Sequence, residues 1–246
     1  HMKPTTENSV IKNRILKGAL AVTLLALLPH LARSYDINDG MRIGSQASTN
    51  SLGGSTTSVM IGQYNSGSAA YSLAVGSSNY LYSGGYGSIA VGSSNYLTGY
   101  NNFAFGGSNS VSGQHAMVVG QSNSASGSYS FTYGYSNQVP STASQAMAGG
   151  SYNIAEGQNS VALGRFVTAK TYSSMVIGQY NLTTASESDA AAKNSWRPAD
   201  PLFVIGNGTS GSDKKNALVV TKDGTVTINK VPAKGGISMG IYTSVP

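Results

Sequence analysis

A glycine that returns at a fixed interval constrains this chain more than any other feature. The pattern apolar-small-apolar-Gly places Gly44, Gly62, Gly76, Gly92, Gly106, Gly120, Gly134, Gly150, Gly164 and Gly178 at spacings of 18, 14, 16, 14, 14, 14, 16, 14 and 14 residues. Self-similarity at one short period marks a repeat architecture, in which each unit buries its apolar face only by stacking on the next. The two intervals of 16 exceed the period by two residues, an insertion that leaves strand facing unchanged.

Residues three and one before the glycine are large and apolar, as in Val59/Ile61, Leu73/Val75, Ile89/Val91, Phe103/Phe105, Met117/Val119, Val161/Leu163 and Met175/Ile177. The residue between them is small at Ala74, Ala90, Ala104, Ala148 and Ala162, and larger at Met60, Val118 and Val176. A strand with apolar residues on both faces must be covered on both sides. Coiling covers one face, so the other is predicted to meet another chain. A second, short strand is marked five residues after the glycine by Leu81, Leu97, Val111, Ala125, Val139, Ala155 and Ala169, often with a further glycine such as Gly99, Gly113, Gly127 or Gly157. Each repeat is thus predicted to hold two strands and two turns.

Asparagine stands three residues after the glycine at Asn65, Asn79, Asn95, Asn109, Asn123, Asn137, Asn153 and Asn181, with Ala47 and Val167 as exceptions. A structural role is favoured over a polar binding row. Asn tolerates left-handed geometry at turns, and stacked amides can hydrogen-bond from coil to coil.

The segments NSVALG (Asn159 to Gly164), SIAVG (Ser88 to Gly92) and SLAVG (Ser72 to Gly76) resemble the head repeats of trimeric autotransporter adhesins. The resemblance spans about residues 41–182 and implies an all-β, left-handed parallel β-roll of about ten coils, with three chains packed side by side. It also implies a secreted or cell-surface adhesin. In that family the head leads into a neck, a heptad stalk and an outer-membrane barrel. None is readable in residues 183–246, so membrane contact is expected only through a missing or separate anchor. The expected organisation is a signal peptide with a tag scar at 1–34, the roll at 35–182, a polar linker or insertion at 183–201 and a C-terminal β cap with tail at 202–246. Within that cap, PLFVIGNG restores the pattern at Gly206, two coils' length after Gly178, and Asp223-Gly224 signals a two-residue hairpin.

The formal charge of +6 does not indicate a nucleic-acid partner. Lys3, Lys12, Arg14, Lys17 and Arg33, against Glu7, precede residue 35 and leave ten cations to eight anions beyond it. Lys12, Arg14 and Lys17 form a basic region, Gly18 to Leu28 an apolar one, and Ala32 and Ser34 the small residues before a cut at Tyr35. The apolar run is shorter than the ~20 residues a bilayer needs, so export is expected. His1-Met2 reads as a tag scar, and there is no cysteine for disulfides or thiolate metal sites.

Catalytic chemistry has little to work with. His115 is the one histidine beyond the leader, and no Asp, Glu, Lys or Arg occurs from Ile43 to Ala155. Gly206 to Gly211 resembles a phosphate loop only in glycine content, and the sequons at Asn181 and Asn207 are read as coincidence. No enzyme activity, cofactor or metal is expected. Tyr64, Tyr71, Tyr80, Tyr82, Tyr86, Tyr96, Tyr100, Tyr129, Tyr152 and Tyr172 lie outside the apolar strand positions and offer a neutral contact surface. Tyr80 and Tyr96, each four residues after its glycine, are the candidate contacts and are expected to stack between coils. The expected partners are the chain itself, as homotrimer or filament, and a host matrix protein or glycan. The alternatives are a purely structural filament or spike subunit and a flat-faced polysaccharide or ice binder.

Overall fold

The structure is a computed structural model and describes residues 41–43, 50–51, 58–82, 84 and 86–229. The expected signal peptide at 1–34, the first pattern glycine Gly44, Ala47 and the tail beyond residue 229 lie outside the described residues.

The repeat folds as a parallel β-solenoid. Strand β1 (Met41–Ile43) opens a sheet continued by nine five-residue strands: β2 (Val59–Gln63), β4 (Leu73–Ser77), β6 (Ile89–Ser93), β8 (Phe103–Gly107), β10 (Met117–Gln121), β12 (Phe131–Tyr135), β14 (Met147–Ser151), β16 (Val161–Arg165) and β18 (Met175–Gln179). Between them run two-residue strands that form a second, eight-stranded sheet: β3 (Ser66–Gly67), β5 (Tyr80–Leu81), β7 (Tyr96–Leu97), β9 (Ser110–Val111), β11 (Ser124–Ala125), β13 (Gln138–Val139), β15 (Ile154–Ala155) and β17 (Thr168–Ala169). Pattern glycines pair in register, Gly92 with Gly106 and Gly106 with Gly120, so the 14-residue period is one turn of the coil. The two-residue insertions fall between strands and leave the pairing intact, as Gly76 with Gly92 and Gly134 with Gly150 show.

The interior is a narrow core in two clusters, one from Met60 to Ala125 and one from Val139 to Val204. Ala90 and Ala104 from the long strands and Leu97 and Val111 from the short ones are wholly buried. The asparagine column runs beside them with every amide inside the coil. Asn95 Nδ2 donates to Asn79 Oδ1 at 2.9 Å and to the Gly106 carbonyl at 3.0 Å, while its Oδ1 accepts from the N–H and Nδ2 of Asn109. At Val167 the ladder ends, although the Val167 N–H still donates to Asn153 Oδ1. The expectation that these asparagines hold left-handed backbone needs correction. Left-handed φ belongs to the residue before each, from Tyr64 and Ser78 through Tyr152 and Tyr180, at 43–58°, and likewise to Phe166 before Val167. The chain turns one residue early, and that turn swings the asparagine side chain inward to its amide partners.

A second polar ladder, which the sequence reading did not separate out, lines the opposite corner. Ser58 Oγ accepts the Ser72 N–H, Ser72 Oγ that of Ser88, Ser88 Oγ that of Asn102, and Asn102 Oδ1 that of Ala116 at 2.8 Å. Its signal was the Ser or Asn that often precedes the apolar-small-apolar-Gly pattern.

Among the described residues about eight turns are complete, not ten. Beyond Asn181 the chain leaves the coil instead of forming another short strand. Residues 183–200 contain a 3₁₀ turn (Ser186–Ser188) and one short helix, α1 (Ala190–Asn194), docked on the roll by the Tyr172 N–H to the Ala192 carbonyl and the Gln158 N–H to the Lys193 carbonyl. Asp189 caps α1 by accepting the Ala192 N–H at 2.6 Å. Strand β19 (Pro201–Asn207) then pairs parallel with β18, Gly178 opposite Gly206, so the 28-residue interval holds one rung and not two coils. Strands β20 (Asn216–Thr221) and β21 (Val226–Ile228) continue the same sheet antiparallel. Their loop is wider than the two-residue turn expected at Asp223-Gly224. It is closed by the Thr221 N–H on the Thr225 carbonyl, with Gly224 at φ 87°.

Candidate functional site

The strand alternation decides which side chains meet solvent. In β8, Ala104 is 0% exposed whereas Phe103 and Phe105 are 39% and 37% exposed. The large apolar residues of the repeat therefore form the outer face and the small ones the core. Met117, Tyr133 and Met175 extend that face along the roll, and the Tyr133 ring lies over Gly149, where the column lacks a side chain. At about 4.8 Å per rung, the face from β2 to β18 is roughly 38 Å long. Soluble monomers seldom leave a contiguous apolar strip of such length open.

The short strands present a different face. Their outward positions carry Tyr80, Tyr96, Ser110, Ser124 and Gln138, and Ser112 Oγ donates to Ser126 Oγ at 3.0 Å. Tyr80 and Tyr96 occupy paired positions of β5 and β7 and are both exposed, but their rings do not stack on one another. Tyr82 mediates: its ring is 6.4 Å from Tyr80 and 5.3 Å from Tyr96. Coil-to-coil stacking does occur between Tyr86 and Tyr100 at 5.9 Å and between His115 and Tyr129 at 4.9 Å. The lone histidine expected to have no catalytic partner thus packs its ring on a tyrosine at a corner.

No protein-family model and no characterised protein matches this chain. Function must be argued from its own surfaces.

Among the described residues, every charged group but Arg42 lies from Glu156 onward. Arg197 bridges Asp189 and Asp200, and Lys193 pairs with Glu156 at 2.7 Å. The Ala192 N–H and then Arg197 hold the Asp189 carboxyl below its ordinary value. Burial pushes Glu187 up, partly offset by its bonds from Thr184. Lys222 lies with its side chain fully buried, its Nζ 5.2 Å from the centre of the Trp196 ring, 5.8 Å from that of Tyr172 and 4.0 Å from Asp200 Oδ2. Burial pulls its pKa below the ordinary lysine value. Sequence reasoning missed this cluster, because its members lie 50 positions apart from Tyr172 to Lys222 and meet only when the insert docks. Among the described residues no group of three or more His, Cys, Asp and Glu is placed to hold a metal.

Proposed function

We infer that this chain is an exported, homotrimeric adhesin or surface-fibre module that attaches by many weak, neutral contacts. The observation that carries the reading is the outward apolar face of the long strands, whose Phe103, Phe105, Met117 and Met175 stand in one strip. Covering a large apolar side chain stabilises by about 1.5–3 kcal/mol, and three equivalent chains cover one another's strips without leaving an open edge. The uncharged short-strand face is then left outward, and repetition on three chains multiplies weak contacts into avidity. In this reading β19 to β21 act as a cap, since antiparallel pairing ends the stack of parallel rungs. The resemblance of NSVALG and its variants to adhesin heads points the same way.

Two measurements test the reading. Light scattering should give a trimer that loses its fold when it dissociates; a stable folded monomer of 25.2 kDa overturns it. Attachment to immobilised matrix proteins and glycans should survive Tyr96→Ala and fall steeply in the Tyr80→Ala/Tyr96→Ala double variant at matched stability. If wild type attaches to nothing and electron microscopy shows long filaments, the chain is a structural fibre subunit instead.

A further inference from the structure

One groove combines aromatic rings, hydroxyls and an unpaired cation. Two residues after the pattern glycine, at the left-handed corner, the middle coils carry Ser78, Ser94, Ser108, Ser122 and Ser136, whereas the last three carry Tyr152, Phe166 and Tyr180. A bulky side chain at positive φ is unfavourable, and serine makes this turn in five coils; Tyr64 of the first described coil shares the feature alone, whereas at the C-terminal end three such rings adjoin. The three rings stack, Tyr152 on Phe166 at 4.5 Å and Phe166 on Tyr180 at 4.9 Å, nearly parallel. Gly211 and Lys214, from the loop between β19 and β20, face this stack. With Ile154 and Thr168 they line an open groove of about 430 Å³, a size suited to one or two sugar rings.

The charge at this groove is uncompensated. Lys214 is exposed, and among the described residues it makes no ion pair. Arg165 stands beside the stack, outside the groove lining, and among the described residues it makes no ion pair; its guanidinium sits 5.1 Å from the centre of the Phe166 ring and 5.7 Å from that of Tyr180. The nearby Asp213 is already engaged by Lys215 and by the Thr209 hydroxyl. Arg165 is also the only charged side chain in its column of the long-strand sheet, from Gln63 to Asn207.

We propose that this groove binds an anionic saccharide, with the sugar against the edges of the stacked Tyr152, Phe166 and Tyr180 rings and a carboxylate or sulfate held by Lys214. Aromatic stacks present apolar area at low entropic cost, and their phenols, with the Thr168 hydroxyl, meet sugar hydroxyls. One lining cation suits a single acidic group and is too few for a phosphate polymer. The proposal deepens the attachment reading and rests on it, yet it concerns single-site binding in solution and needs no surface.

The full chain is titrated, by calorimetry and saturation-transfer NMR, with a sialylated trisaccharide, a sulfated heparin-derived disaccharide and lactose. At least one acidic sugar should bind about tenfold more tightly than lactose and weaken in about 0.5 M NaCl. Preference for the sialylated or the sulfated probe identifies the acidic group. Phe166→Ser, which installs the residue of the middle coils, and Lys214→Gln, which alters an exposed side chain, should each weaken binding about fivefold or more with unchanged melting temperature. Should Phe166→Ser lower the melting temperature, Lys214→Gln alone decides. Equal affinity for acidic and neutral sugars, no binding up to about 10 mM, or full affinity in the decisive variants overturns the proposal. Loss of sugar binding with surface attachment intact rejects the groove alone, whereas sugar binding with no attachment to any surface rejects the attachment reading alone.

Discussion

Single positions in the roll are set by the 4.8 Å approach of neighbouring rungs. Gly106 has φ +119°, and a methyl group added there would lie 1.9 Å from the Gly120 carbonyl oxygen. Gly106→Ala should therefore cost well over the ~1 kcal/mol of an ordinary glycine-to-alanine difference, read as a fall in urea or thermal midpoint. A variant as stable as wild type would mean that the rungs sit further apart. Thr132 presents the opposite case. Its hydroxyl is buried without a hydrogen-bond partner in a column otherwise filled by Met60, Ala and Val. Thr132→Val keeps the shape and removes the unsatisfied group, so it should stabilise by about 1 kcal/mol in the same assay. The Gly106 requirement was legible from periodicity. The Thr132 defect was not, because threonine is also a good strand former and only the facing shows it to be inside.

Among the elements, the insert at 183–200 differs from the rest in being held by ion pairs as well as by backbone hydrogen bonds. Lys222, buried against Trp196, Tyr172 and Asp200, has its pKa pulled below the ordinary value of 10.5 by burial, with Asp200 opposing and Arg197 assisting that shift. The folded chain therefore binds fewer protons at this group than the unfolded chain, and stability rises as pH climbs toward 10.5. Tyrosine ionisation acts in the same range, so the comparison needs a reference. From about pH 8 to about pH 10, wild type should gain melting temperature relative to Lys222→Met, in which this titration is absent. Parallel pH curves for the two proteins would show that Lys222 is solvated in the fold. That β19 resumes the roll was readable from LFVIG, but its place one rung after β18 was not. The interval of 28 fits two coils as well as one coil with an excursion, and periodicity cannot separate them.

For the whole molecule, the segregation of charge sets the response to salt. Every ion pair among the described residues involves positions 156–222, and the coils before Glu156 are held by backbone ladders, buried amides and apolar packing. The roll's melting temperature should change little between low salt and about 0.5 M NaCl, followed by circular dichroism. A large fall would place its stability in the C-terminal ion pairs instead. The same segregation separates the two surfaces proposed for recognition: a neutral tyrosine and serine face along the coils, and a cationic aromatic groove at the charged end.

The sequence alone determined the solenoid, because a 14-residue spacing of glycine with alternating apolar residues has no other way to bury itself than by stacking rung on rung. It also determined which residues share a face, since strand alternation is local. Only the tertiary structure decided which of those faces is inside. Both faces are apolar, and the small residues take the interior, Met60 of β2 excepted, because opposite Leu97 and Val111 the coil leaves room only for side chains such as Ala90 and Ala104. The groove beside Phe166 and the burial of Lys222 were likewise decided by tertiary contact. They join residues from the coils to residues beyond the insert, and no local pattern sets where an excursion of the chain returns.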